Sequence, residues 1–89
     1  MTIEYSDKFV KDLKALKGTA SFAKIYALAF DFAPAMGDPA EIPHFSKLEG
    51  FENYYRIRIG DYRIGVKIED NAFIFMRVLH RKEIYRFFP

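Results

Sequence analysis

With 89 residues, 51% of them hydrophobic and ten Phe and six Tyr among them, the chain is too short for more than one domain, 1–89, and too apolar to be disordered. The absence of cysteine excludes a disulfide framework, a thiolate nucleophile and a zinc–thiolate site, and two histidines are too few for a metal site, so neither metal nor cofactor is expected. A formal charge of +2 does not by itself announce a nucleic-acid binder; Glu4 interrupts any signal peptide and no run reaches the ~20 apolar residues of a membrane helix, so a cytoplasmic location is expected.

Thr2 to Tyr5 alternates weakly and predicts a short first strand. Ser6 follows as a helix cap. Phe9, Val10, Leu13 and Leu16 recur at helical spacing with Lys8, Lys11, Asp12 and Lys14 on the other side, so an amphipathic helix is expected to run to about Lys17 and stop at Gly18. Thr19 predicts the cap of a second helix from Ala20 to about Ala33, ended by Pro34, with Phe22, Ile25, Tyr26, Ala29, Phe30 and Phe32 making a wide apolar face. The two form a helical hairpin. Residues 34–43, PAMGDPAEIP, suit an irregular connection rather than a domain boundary.

From Tyr54 the period changes to two: Tyr55, Ile57 and Ile59 alternate with Tyr54, Arg56 and Arg58. Gly60-Asp61 supplies a two-residue hairpin loop, for which a leading glycine favours type II′. That loop pairs Ile59 with Tyr62 and fixes the register of both strands: Ile57 faces Ile64 and Tyr55 faces Val66 on one side, while Arg58 faces Arg63, Arg56 faces Gly65 and Tyr54 faces Lys67 on the other. A third strand, about Phe73 to Leu79, follows a turn near Asp70-Asn71-Ala72. A three-residue loop sets Ile74, Met76 and Val78 beside Ile68, Val66 and Ile64, with Arg77 beside Gly65. A two-residue loop would aim Phe75 and Arg77 at the core, so the cost of burying a cation favours the longer loop. The whole reads as an α+β fold: a short N-terminal strand, a two-helix hairpin, then an antiparallel meander.

The small net charge hides a segregation. Residues 1–53 hold six Lys and eight acidic residues, whereas residues 54–89 hold Arg56, Arg58, Arg63, Lys67, Arg77, Arg81, Lys82 and Arg86 against four acids. Arginine grips phosphate with a planar fork, so this favours an anion site over general solubilisation. Arg58 directly opposite Arg63 is repulsive unless an anion lies between them. Arg56 and Arg77 flank Gly65, whose missing side chain would let a backbone phosphate approach. One such arginine would be read as splayed into water or paired with Glu49, Glu52 or Asp61; four converging argue for a phosphate site.

The segments KLEG (Lys47 to Gly50), YRIRIGDYRI (Tyr55 to Ile64) and VLHRKEIYR (Val78 to Arg86) resemble the signature of RelE-type toxins in the RelE/ParE superfamily. The resemblance spans nearly the whole chain, and the elements above fit that family's RelE-like microbial RNase fold. By resemblance Arg56 and Arg58 match the family's paired basic residues, Arg63 its phosphate-stabilising arginine, Arg81 its arginine near the scissile bond and Tyr85 its C-terminal tyrosine. Arg63, Arg81 and Tyr85 are then the expected catalytic residues, and Arg56, Arg58, Arg77 and Lys82 the expected substrate ligands.

The implied activity is that of a type II toxin–antitoxin toxin, an endoribonuclease that inhibits translation by cutting messenger RNA in the ribosomal A site. The implied chemistry is metal-independent: the 2′-hydroxyl of the RNA attacks the adjacent phosphorus and leaves a cyclic phosphate. The protein then supplies a proton acceptor, a proton donor and fixed positive charge. Some members carry lysines at the first pair; arginines scarcely deprotonate, so the acid–base role falls to Tyr85 or His80. Tyr85 would need neighbouring cations such as Arg81 and Lys82 to give up its proton, and can also stack on a base. His80 lies on the face opposite Arg81 if the strand continues and reads first as structural. His44 reads as a surface or packing residue, and Phe87 and Phe88 as core or partner-contact aromatics. The expected partner is a cognate antitoxin, apolar and acidic, that masks the basic face.

Two other functions stay open. A ParE-like DNA gyrase inhibitor shares the fold and needs no phosphate site, against which the joint presence of Arg56, Arg58, Arg63, Arg81 and Tyr85 argues. A plain RNA-binding module is disfavoured by the mild net charge.

Overall fold

The structure, a computed structural model, describes residues 1–89. Strand β1 (Thr2–Tyr5) hands over directly to helix α1 (Asp7–Ala15). Ser6 between them is extended, and its hydroxyl accepts a hydrogen bond from the backbone N–H of Phe9 at 3.0 Å. Asp7 in the first turn and Lys14 in the last suit the helix dipole, while Phe9 and Leu13 are buried. The helix ends at Ala15 rather than Lys17. Leu16 and Lys17 bond instead to the carbonyls of Leu13 and Lys14, in tighter turns, and Gly18 at φ 93° redirects the chain.

Thr19 does not cap the second helix. Its hydroxyl donates to the Leu16 carbonyl at 2.8 Å, completing the end of α1, and α2 (Phe22–Ala27) begins after Ser21. Nor does Pro34 stop the helix. The chain runs on through a π-helical stretch, Leu28–Phe32, into a short helix α3 (Ala33–Ala35), the Ala33 N–H reaching back to the Leu28 carbonyl. In that wider ladder the donor for the Ala29 carbonyl would be Pro34, which has no N–H. The Tyr5 hydroxyl donates there instead, at 2.5 Å. Its ring stacks against Phe30 and Phe75, and burial pushes its pKa above the ordinary tyrosine value. A proline read as a stop is therefore tolerated because β1 supplies the missing donor.

Strands β2 (Phe45–Lys47), β3 (Tyr54–Ile59), β4 (Tyr62–Glu69) and β5 (Ala72–His80) complete one five-stranded sheet of order β1-β5-β4-β3-β2. β1 runs parallel to β5 and every other pair is antiparallel, so the fold is α+β with a mixed sheet. The β3–β4 register is the one the sequence implies, with Ile59 opposite Tyr62, Ile57 opposite Ile64 and Arg58 opposite Arg63. Gly60 alone of the two loop residues has positive φ, as a type II′ turn requires.

The β4–β5 pairing differs from the expectation. The loop has two residues, Asp70 and Asn71, at φ 51° and 62°, so Phe73 and Phe75 rather than Ile74 and Met76 face the core opposite Ile68 and Val66. The ladder then slips between Gly65 and Val66. This bulge, at Met76, inverts the alternation, so Val78 is buried opposite Ile64 and Arg77 lies beside Gly65 on the other face. The short loop and the outward arginine coexist because the bulge separates them.

The helices cover one face of the sheet, where Phe9, Leu13, Ile25 and Ala29 pack on Ile57, Ile64, Val66, Phe73, Phe75 and Val78. β1 stops at Tyr5, opposite Phe75, which leaves the end of β5 without a strand neighbour on that side. The start of α1 serves that edge: the Ser6 hydroxyl donates to the Met76 carbonyl at 2.7 Å, and Asp12 accepts from the Val78 N–H at 3.1 Å.

Candidate functional site

The face turned away from the helices carries Arg56 and Arg58 of β3 across from Gly65 and Arg63 of β4. Opposed guanidinium groups repel, and here each finds a separate partner. Arg63 Nη1 donates to the carbonyls of Gly60 (2.8 Å) and Tyr62 (3.0 Å). Arg58 Nη2 lies 3.2 Å from His44 Nδ1. Arg56 donates from Nε to Ser46 Oγ at 3.2 Å and from Nη1 to the Tyr85 hydroxyl at 2.9 Å. Burial holds the Arg63 pKa below its ordinary value, and the charges of Arg58, Arg56 and Arg81 act in the same direction while Tyr85 opposes them. These five side chains therefore share one electrostatic field.

The turn after β5 positions the last two members. The Arg81 N–H donates to the Asp61 carbonyl at 2.7 Å, pinning the end of β5 to the β3–β4 loop. The Arg81 guanidinium is 3.8 Å from the Asp61 carboxylate, but with the side chains 57% and 71% exposed this pair contributes little and leaves Arg81 available. The Glu83 N–H closes on the His80 carbonyl and starts the short helix α4 (Ile84–Phe87). Buried Ile84 and Phe88 anchor this tail and leave Tyr85 exposed, with its hydroxyl on Arg56.

Other expected members are placed elsewhere. Arg77 does lie beside Gly65, yet its guanidinium is engaged by Asp12 at 2.7 and 3.1 Å, and that bond raises its pKa. Asp12, which helical spacing assigned to the solvent side of α1, reaches the β5 edge instead. Gly65 is not an open floor. A Cβ there would stand 2.6 Å from the Phe88 ring, so an aromatic ring rather than a phosphate occupies the space. His80 is opposite Tyr62 on the helix side, its ring edge-on to that tyrosine and its Nδ1 accepting from the Lys82 N–H at 3.2 Å. Lys82 is exposed in the turn next to Arg81. His44, read as a surface or packing residue, is exposed and bonded to Arg58; only the pairing of β2 with β3 brings it there.

The arrangement offers four cations, Arg56, Arg58, Arg63 and Arg81, and a phenol to an anion, with the Asp61 carboxylate 3.8 Å from Arg81. No group of three or more His, Asp or Glu side chains is placed to hold a metal, and no helix is long and apolar enough to cross a membrane.

Residues 3–85 match the model of the family described as ParE toxin of type II toxin-antitoxin system, parDE. Toxin RelE3 of Methanocaldococcus jannaschii is 39% identical over 90 residues, with both chains covered completely. The chain is a toxin of the RelE/ParE family of type II toxin–antitoxin systems. Among solved structures, the toxin resembles the RelB-RelE antitoxin-toxin complex of Methanococcus jannaschii, with 34% identity, TM-score 0.64, and 97% of this chain and 99% of that one covered. It also shares its fold with Escherichia coli YafQ, at 22% identity and TM-score 0.69, over 90% of this chain and 92% of that one. The toxin's β1, helices and sheet thus follow the arrangement expected from the resemblance of its three sequence segments to RelE-type toxins.

Proposed function

We propose that the toxin is an endoribonuclease, an mRNA interferase that cuts ribosome-bound message in the A site, in the cytoplasm and without a metal. The observation that carries this reading is the gathering of Arg56, Arg58 and Arg81 around Arg63, with the Tyr85 hydroxyl held by Arg56 at 2.9 Å. In the proposed reaction the 2′-hydroxyl attacks the adjacent phosphorus, the bond from phosphorus to the 5′-oxygen breaks, and a cyclic phosphate is left. Arg63 and Arg81 stabilise the negative charge that builds on the phosphoryl oxygens. Arg58, Arg56 and Lys82 hold the RNA backbone. Tyr85 gives its proton to the leaving oxygen, and Arg56, donating to the same phenol oxygen, stabilises the phenolate left behind. Arg77 is withdrawn from the set because Asp12 already neutralises it.

Mapping of cut sites on ribosome-bound message tests the reading. Wild type is expected to cut, and Arg63→Ala or Arg81→Ala to lose about 10²-fold or more in rate. A wild type that leaves message intact with or without ribosomes overturns it. The matching family description, a ParE toxin, motivates the alternative of a DNA gyrase inhibitor without nuclease activity, which inhibition of purified gyrase would establish.

A cognate antitoxin is part of the same proposal, since the 34%-identical RelE was solved with RelB. It is expected to be acidic toward the arginine face and apolar toward the helices, where Tyr26 and Phe32 are exposed and Leu28, Met36 and Pro43 line a groove. Co-purification with a small protein encoded alongside checks this.

A further inference from the structure

The proposed cleavage lacks one group, a proton acceptor for the 2′-hydroxyl; resting on that nuclease reading, we propose that His44 supplies it. The edge strand brings it to the site. Ser46 of β2 is opposite Arg56, and His44, one step further in the same alternation, is opposite Arg58, whose N–H reaches the His44 carbonyl at 3.4 Å. The two edge residues thus serve the two arginines, Ser46 Oγ at 3.2 Å from Arg56 Nε and His44 Nδ1 at 3.2 Å from Arg58 Nη2. A guanidinium has only donors, so in this contact Nδ1 is the acceptor, the role open to the tautomer with its proton on Nε2. A substrate phosphate that draws Arg58 to itself uncovers this basic nitrogen beside the reacting centre.

Three further observations point the same way. His44 is held at φ 59°, a backbone state few non-glycine residues adopt, and it is exposed, outside the apolar core. It lines a cleft of about 420 Å³ at the sheet edge, with Arg58 and Gly60 at one side and Lys24 of α2 at the other, so the ring is reachable from solvent. The charged groups facing it there are Arg58 and Lys24, with no carboxylate to pair with an imidazolium before an RNA phosphate arrives.

The placement also suits the direction of the reaction. His44 is held by Arg58 and Tyr85 by Arg56, two positions about 7 Å apart along one strand, so acceptor and donor stand at opposite ends of the span in which a phosphodiester would lie. His44 Nδ1 takes the 2′-hydroxyl proton as that oxygen bonds to phosphorus. The bond to the 5′-oxygen breaks, and this oxygen takes the Tyr85 proton. The products are a cyclic phosphate and a 5′-hydroxyl, and imidazolium and phenolate return to their starting forms by exchange with water.

The test is single-turnover cleavage of ribosome-bound message, followed against pH, by wild type, His44→Asn and His44→Gly. Asparagine tolerates positive φ and its side-chain oxygen can still accept from Arg58, but it cannot take up a proton. Wild type should slow as pH falls through the range in which histidines titrate. His44→Asn should be about 10²-fold slower or more, with that acidic limb gone and RNA affinity unchanged. Added imidazole should restore rate to His44→Gly and not to Tyr85→Phe. A His44→Asn variant with wild-type rate and pH profile, or one whose loss is entirely in RNA affinity, overturns the proposal while leaving the nuclease reading intact. A wild type that cuts nothing removes the nuclease reading, and the role of His44 with it.

Discussion

Replacing Asp12 with alanine should distinguish an internal ion pair from a substrate-binding arginine. The Asp12 carboxylate accepts from Arg77 Nε at 2.7 Å, from Arg77 Nη2 at 3.1 Å and from the Val78 N–H at 3.1 Å. The side chains are only 12% and 17% exposed, so the discount that applies to surface pairs is small. Truncating one member of a buried pair costs about 3–5 kcal/mol, and an orphaned backbone N–H a further ~1–3 kcal/mol, but the site lies at a sheet edge where water can enter, so the low end, about 3 kcal/mol, is expected. That is a large share of the ~5–15 kcal/mol that holds a small domain together, and at ~4–8 °C per kcal/mol it lowers Tm by about 12–24 °C.

The companion variants make the cycle decisive. Asp12→Leu with Arg77→Met removes both charges at once and should recover much of the stability lost in Asp12→Ala, because no ion is left buried alone. Urea and thermal unfolding measure the stabilities; RNA cleavage by the folded double variant measures the function. If Asp12→Ala unfolds within about 0.5 kcal/mol of wild type, the pair behaves as an exposed one and the packing argument fails. If the double variant folds but no longer binds RNA, Arg77 is a phosphate ligand after all.

Gly65→Ala should cost about 1–3 kcal/mol, since its Cβ meets the Phe88 ring at 2.6 Å, and should slow cleavage by lifting Tyr85 from Arg56; unaltered urea unfolding would show that the ring does not need the glycine. Tyr5 bears on alkaline stability. Its unfolded-state hydroxyl titrates near pH 10 and the buried one higher, so the stability of the fold holds below about pH 10 and is lost as pH rises through the folded value. Tyr5→Phe should be less stable at neutral pH by about 1 kcal/mol, through the lost bond to Ala29, yet fall less steeply above pH 10. Equal alkaline slopes would mean that this hydroxyl titrates freely. Arg58→Gln relieves the repulsion with Arg63 and should raise stability by about 0.2–1 kcal/mol while cleavage falls; a loss of both would contradict the opposition of the two charges.

How much of the fold can be read from the sequence depends on whether one local signal decides each step. The β3–β4 register is legible because Gly60-Asp61 admits one loop and each apolar residue then meets an apolar partner. At β4–β5 two signals conflict: Asp70-Asn71 forms a two-residue loop, while Arg77 must stay out of the core. A bulge at Met76 reconciles them, and no short sequence pattern announces a bulge. Thr19 and Pro34 mislead for a related reason. Capping and stop rules assume a regular helix standing alone, whereas here a π-helical stretch and a tyrosine from β1 supply the hydrogen bond that the proline withholds.

The site divides along the same line. Arg56, Arg58 and Arg63 are placed by strand alternation and a single hairpin, and so can be found from the sequence. Asp12 on Arg77, Phe88 on Gly65 and His44 on Arg58 all depend on elements that arrive from elsewhere in the chain, where periodicity is silent. The contrast between Arg77 and Arg58 has the same origin. Both are arginines on one sheet face, but α1 lies against β5 and delivers a carboxylate to the first, while β3, two strands away, receives Ser46 and His44 from the edge strand and its start. Which arginine acquires a carboxylate is therefore set by its distance from the β5 edge, where β1 has ended and Ser6 and Asp12 bond to the strand.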